Sequence, residues 1–184
     1  MFRLPLSSTC GRNAIRISRN VIAFVVLSLS SSSFSAMAGS IYGIQPNGDL
    51  LAYKHTGTAD GSASWAYQQK KVGNGWNGFV NVFAGDNGVI YGIQPNGDLL
   101  VYKHTGTDDG SASWAYQQKK VGNGWAGFQR VFAGSNGVIY GIQPNGDLLA
   151  YKHTGTADGS ASWAYQQKKV GNGWNGFVNV FASE

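Results

Sequence analysis

The stretch IYGIQPNGDLLAYKH, residues 41–55, decides how this 184-residue chain is read. Ile41 to Gln45 is a short apolar strand. Pro46-Asn47-Gly48-Asp49 is a tight-turn signal, and Leu50 to His55 returns as a second strand to make a hairpin. The hairpin recurs from Ile90 and from Ile139, a period of 49 residues. Residues 41–84 and 139–182 are identical over 44 positions, and the middle copy differs from them at five. Internal repeats of this length belong to propellers, solenoids or arrays. They place the chain's chemistry at several equivalent positions, which favours multivalent binding over a single catalytic centre.

Outward from the hairpin, Thr56 to Ser64 is polar and irregular and reads as a long loop. Trp65 to Val72 is a third strand, and Gly73-Asn74-Gly75-Trp76-Asn77-Gly78 forces a sharp connection. Phe79 to Ala84 is a fourth strand, and Gly85-Asp86-Asn87-Gly88 turns into the next copy. No helical period runs through any of this, so the chain reads as all-β. Four short antiparallel strands in about 49 residues match one propeller blade. The fourth strand is apolar on nearly both faces, which suits a position between neighbouring sheets close to a propeller axis. Gln129 and Arg130 replace Val80 and Asn81 there in the middle copy, so that corner is expected to be accessible.

Residues 1–38 differ in kind. They carry Arg3, Arg12, Arg16 and Arg19, no acid, an apolar run from Val21 to Leu29, and a Ser-rich stretch ending in Ala36-Met37-Ala38. That pattern is a secretory signal peptide. Its apolar run is far short of the ~20 residues that span a bilayer, so no membrane insertion is expected after cleavage. The expected destination is secreted or periplasmic, with an organelle transit peptide as the alternative. The mature repeat domain is then 39–184, with blades at 41–89, 90–138 and 139–184. Without the leader arginines, 10 of the 14 basic residues remain against 9 acidic ones, a net charge of +1. Nucleic-acid binding normally shows a marked basic excess, so that class is not expected. Cys10 also leaves with the leader, so the mature chain has no thiol chemistry.

Ser64-Trp65-Ala66, Lys71-Val72-Gly73-Asn74-Gly75-Trp76, Phe79 and Val82-Phe83 together resemble the blade signature of the tachylectin-type β-propeller lectins. The hairpin 41–55 is similar to bacterial relatives of that family, and the resemblance covers all three copies. Asn74-Gly75-Trp76 has one glycine fewer than the family's Gly-Gly-Trp form. The resemblance implies sugar sites between adjacent blades, with one wall from the long loop and the other from the Gly-Trp connection. Carried over, these are Asp60, Ser64, Trp65, Asn74, Gly75 and Trp76 in the first copy. In the second they are Asp109, Ser113, Trp114, Asn123, Gly124 and Trp125. In the third they are Asp158, Ser162, Trp163, Asn172, Gly173 and Trp174.

Such a set suits a sugar. An indole offers a flat apolar face and an N–H donor. Asp, Asn and Ser with glycine backbone N–H groups satisfy hydroxyls and an acetamido group. The expected ligands are glycans bearing N-acetylated amino sugars of the GlcNAc or GalNAc type. Against this stands a plain packing role for Trp76 between blades, and a non-catalytic structural or protein-binding adhesion repeat is the alternative function. Glycoside hydrolysis needs two carboxylates at a fixed separation, whereas Asp49 and Asp60 lie scattered on turns. One histidine per copy, with no i, i+4 partner, gives no zinc pattern, and no calcium-loop motif occurs. No enzyme, metal or cofactor is therefore expected.

Three blades are fewer than the 4–8 of closed propellers. A homodimer closing a six-bladed ring meets that requirement, and the last strand, Phe177 to Ala182, is placed to complete a partner's first blade. A β-trefoil, also built of three four-stranded repeats, is the rival architecture, and a fragment of a longer array is a further reading.

Overall fold

A computed structural model describes residues 39–183; the leader expected over residues 1–38 and Glu184 lie outside the described residues. The strands are β1 (Ser40–Ile44), β2 (Leu50–His55), β3 (Trp65–Gly73), β4 (Asn81–Ala84), β5 (Val89–Ile93) and β6 (Leu99–His104). They continue as β7 (Trp114–Gly122), β8 (Arg130–Ala133), β9 (Val138–Ile142), β10 (Leu148–His153) and β11 (Trp163–Gly171). One 3-10 turn follows each long outer strand, at Trp76–Gly78, Trp125–Gly127 and Trp174–Gly176. The strands form three separate antiparallel sheets: β1-β2-β3, β4-β5-β6-β7 and β8-β9-β10-β11. These are propeller blades in series, not the shared barrel of a β-trefoil.

Sheet and sequence repeat are out of phase. The strand at the end of the first copy pairs with the second, Asn81 opposite Ile93 and Ala84 opposite Ile90. Two features cause this. The 3-10 turn at Trp76–Gly78 carries the chain off the edge of β3. The turn 85–88 then closes a hairpin, with Gly85 N–H donating to Val89 C=O at 2.9 Å and Val89 N–H to Asp86 C=O at 3.1 Å. The four-stranded blades thus span Asn81–Gly122 and Arg130–Gly171, and the periods beginning at Ile90 and Ile139 fall after the inner strand of each. Among the described residues the first blade has no inner strand, and residues 177–182 lie in no sheet. Inner strands β4 and β8 contact each other, and the Asn81 amide donates to Val131 C=O at 2.9 Å across them. Gly92 is needed here because a Cβ would sit 2.7 Å from the Phe79 ring that packs over β5.

Each blade buries its faces against its neighbours. Two apolar clusters form between the sheets, one around Leu50, Val72, Trp76 and Ile90 and one around Ile93, Leu99, Trp125 and Ile139. A set of hydrogen bonds repeats at both junctions. His104 Nε2 lies 2.8 Å from Ser111 C=O, which only accepts, so Nε2 carries the proton and Nδ1 accepts from Tyr42 Oη at 2.8 Å. His153 makes the same pair with Ser160 C=O at 2.8 Å and Tyr91 Oη at 2.9 Å. Tyr67 and Tyr116 hydroxyls donate to Thr107 and Thr156 carbonyls at 2.9 and 2.8 Å.

Because the copies are nearly identical, differences in exposure report differences in neighbours. Ile41 and Ile44 are 52% and 40% exposed, whereas their equivalents Ile90, Ile93, Ile139 and Ile142 are at most 1% exposed. Val170 is 57% exposed against 3% for Val72 and 4% for Val121. Seven of the eight exposed large apolar residues, Val80 being the eighth, lie on the first blade or in Val170–Phe181. The unpaired apolar surface is concentrated at the two ends of the arc.

Burial holds the His153 pKa below its usual 6.5, opposed by the hydrogen bond to Ser160 and the charge of Asp158. An unfolded chain therefore takes up that proton at a higher pH than the folded one. The stability associated with neutral His153 is complete above pH 6.5 and is lost as pH falls from there toward the lowered folded value. Thermal melts from pH 7.5 to 5 should show Tm falling, and His153→Gln should flatten the slope. An unchanged slope in the variant would remove His153 as the source.

Candidate functional site

The Gly-Trp connection of one copy meets the outer strand of the next. Asn74, Gly75 and Trp76 leave β3 and face Tyr102, Trp114, Gln117 and Gln118 of the second blade across a groove of about 530 Å³. Gly75 adopts φ 74°, a left-handed conformation that starts the 3-10 turn and swings Trp76 inward. The Trp76 ring lies 4.6 Å from Tyr102 and stacks on Trp114 at 6.1 Å with 24° between planes. Trp114 in turn donates its indole N–H to Val72 C=O at 3.0 Å. The second junction repeats this arrangement. Trp125 lies 4.6 Å from Tyr151 and stacks on Trp163 at 6.1 Å and 23°, and Trp163 donates to Val121 C=O at 3.1 Å.

The expected residues are therefore combined across copies. Asn74, Gly75 and Trp76 share a groove with Trp114, and Trp125 is stacked with Trp163. Among the described residues Trp65 meets only rings of its own blade, His55 at 4.9 Å and Tyr53 at 6.3 Å, and Trp174 stacks on no indole and packs on Phe177 at 5.5 Å. Trp76 and Trp125 are buried floor residues, each 4% exposed. Asn74 is exposed at the rim of the first groove, and Asn123 and Asn172 are exposed too, as are Gly75, Gly124 and Gly173.

The long loop contributes less polar chemistry than its composition suggests. Asp60, Asp109 and Asp158 each accept the N–H of the serine two residues on, Ser62, Ser111 and Ser160, at 2.9 Å. That bond and a second from the serine hydroxyl hold each carboxyl below its usual range. Ser64, Ser113 and Ser162 meet the hydroxyls of the same three serines at 3.0–3.1 Å. These groups shape the loop, and the loop's lining of the groove comes from Ala112 and Trp114.

Gln117 and Gln118 were missed by sequence reasoning. Gln69, Gln118 and Gln167 have φ of 54°, 53° and 52° inside the outer strands. Pairing skips there, with Val101 opposite Lys119 but Lys103 opposite Tyr116. A non-glycine residue in this region is strained by about 1–2 kcal/mol. The signal present in the sequence was the Gln-Gln pair interrupting each third strand. A larger cavity, about 700 Å³, opens beside the turn at 85–88, but its cation Lys54 is paired with Asp108 at 2.7 Å and its one aromatic, Tyr42, has its hydroxyl engaged by His104. Among the described residues no three His, Cys, Asp or Glu side chains are grouped to hold a metal ion.

Among solved structures, the chain is similar to one described by the words "The de novo evolutionary emergence of a symmetrical protein is shaped by folding constraints". The two share 22% identity at a TM-score of 0.51, over 78% of this chain and 59% of that one. The chain thus spans about three fifths of the length of that structure. Prp20p from Saccharomyces cerevisiae aligns at 15% identity and a TM-score of 0.40, over 72% of this chain and 37% of its own. No curated protein matches. The family model for tachylectin matches residues 43–108 and 92–184, which takes in all three copies and both junction grooves. Three blades joined through repeated Gly-Trp connections, with that match running across them, make this chain a member of the tachylectin family.

Proposed function

We propose that this protein is a secreted, multivalent, non-catalytic lectin that binds N-acetylated amino sugars of the GlcNAc or GalNAc type in the grooves between blades. The observation that carries this reading is the groove at the first junction, whose aromatic pairing recurs at the second. Exposed Asn74 and Gly75 line it together with Trp76, Trp114, Gln117 and Gln118, and the paired indoles recur as Trp125 and Trp163. Laying a pyranose against the half-buried Trp114 ring and pairing its acetamido group with the Asn74 amide uses the groups present. A shallow site of this kind binds at about 0.1–1 mM, from a few net hydrogen bonds and one ring contact. Repetition raises the effective affinity by roughly 10²–10⁴ on a clustered surface. The leader of residues 1–38 delivers the protein to the secretory route, and two chains of three blades close a six-bladed ring.

One observation favours a protein-binding adhesion role instead. Trp76 and Trp125 are nearly buried, and the Trp114 and Trp163 N–H groups are engaged by backbone carbonyls, so little indole is free for a sugar.

Retention on immobilised N-acetylglucosamine and N-acetylgalactosamine, with release by the free monosaccharide, distinguishes the two readings; an adhesin passes through both columns. Asn74→Ala with Asn123→Ala should lower binding at least tenfold at those two grooves while the melting temperature stays within about 2 °C, because both side chains are exposed. Gln118→Gly should raise stability by about 1 kcal/mol in urea titration by relieving its left-handed backbone, and should weaken binding if that strain serves the groove. Light scattering of the mature protein at micromolar concentration should give the mass of two chains, and a single-chain mass rejects the ring.

A further inference from the structure

We infer that each chain carries a further sugar groove in two separated halves, and that a second copy of this chain supplies the missing wall. This rests on the lectin reading above. At the internal groove the wall of Asn74 and Trp76 meets the wall of Trp114 and Gln117, one copy further along the chain. Among the described residues, Asn172 and Trp174 face no outer strand of another copy. Among the same residues, Trp65 and Gln68 have no Gly-Trp connection opposite them. Both orphan halves have the sequence of the completed ones, and Trp65, 37% exposed, is among the chain's exposed large apolar residues.

The halves match in more than the groove. The Trp114 and Trp163 N–H groups donate to Val72 and Val121 carbonyls, so the Trp65 N–H corresponds to Val170, which is 57% exposed. Tyr42 and Tyr91 pair with His104 and His153, so Tyr140 corresponds to His55 of the other copy. Gly110 and Gly159 back onto Tyr67 and Tyr116, with an added Cβ only 2.9 Å from those rings, whereas a Cβ on Gly61 would meet nothing within 4 Å. Residues 179–182 are the orphan inner strand for β1. The register of Asn81 to Ala84 on Ile93 to Ile90 places Asn179 opposite Ile44 and Ala182 opposite Ile41 of the other copy. The seam lacks the Lys54–Asp108 ion pair, since Ala59 stands at the position of Asp108. The second internal junction forms with alanine at that position too, Ala157, so the loss is compatible with closure.

Two chains then make two such seams and six grooves, two of them composite. The test is complementation between chains, read as saturating capacity per chain for whichever of N-acetylglucosamine and N-acetylgalactosamine the intact protein retains. In an Asn74→Ala/Asn123→Ala background only the seam grooves keep their asparagine, and capacity should fall to about a third. Adding Asn172→Ala or Trp65→Ala to that background should abolish the rest. Co-expressing those two triple variants should restore about a quarter of the background capacity, because half the dimers are mixed and each mixed dimer has one intact seam. If Trp65→Ala lowers the mass to that of one chain, Gln68→Ala replaces it. A chain that binds sugar yet runs as a single copy, or a mixture no better than its two components, overturns the seam groove and leaves the lectin reading standing. An intact protein that retains neither sugar overturns that reading and the seam groove with it.

Discussion

The junction between successive blades is the constraint on which the rest depends. A three- or four-stranded sheet this small buries little by itself, so its apolar faces must be covered by the neighbouring copy. Here that cover is aromatic and directional. Tyr42 donates to His104, His104 to Ser111, and Trp114 to Val72, each bond satisfying a polar group that the apolar contact takes from water. The same residues that seal the junction therefore form the floor and one wall of the groove. At the two internal junctions, packing and the groove between blades draw on the same indoles, Trp76 with Trp114 and Trp125 with Trp163.

Much of the fold was legible because it rests on local chemistry. Pro46-Asn47-Gly48-Asp49 specifies a hairpin wherever it stands, and Leu50 to His55 is a strand with the bounds read from the sequence. The phase of the blades was legible only in part: Phe177 to Ala182 was read as completing another copy's first blade, while the bounds 41–89, 90–138 and 139–184 kept Phe79 to Ala84 with its own copy. Phe79 to Ala84 pairs forward with β5, and that choice depends on the Trp76–Gly78 turn redirecting the chain, a three-dimensional effect with no periodic signature. The candidate site divides in the same way. The resemblance to tachylectin-type blades put Asn74 and Trp76 at a site between blades, and both line the groove of the first junction. The use of Asp109 and Ser113 within the loop was not legible, because an Asp that caps a serine N–H has the same sequence as one that faces a ligand. Gln118 was missed because its left-handed backbone comes from a bulge set by pairing with β6, of which the Gln-Gln pair shows only that the strand is interrupted.

The near-identity of the copies has a thermodynamic consequence. Inside the chain, a junction forms between tethered blades at the high effective concentration of a short linker. Between chains, the same contact must first overcome the loss of translational and rotational freedom. In the proposed ring only the first seam is subject to that cost, because the second then closes within one assembly. Association should accordingly be cooperative, with few half-closed pairs at equilibrium. A head-to-tail contact that did not close would run on into filaments, using the exposed Ile41, Phe177 and Phe181 as its adhesive surface. Closure is thus what distinguishes a soluble assembly from an aggregating one, and the geometry of six blades has to supply it. Of the five differences in the middle copy, two add polar contacts between successive copies of one chain: Asp108 pairs with Lys54, and Arg130 donates to Val178 C=O.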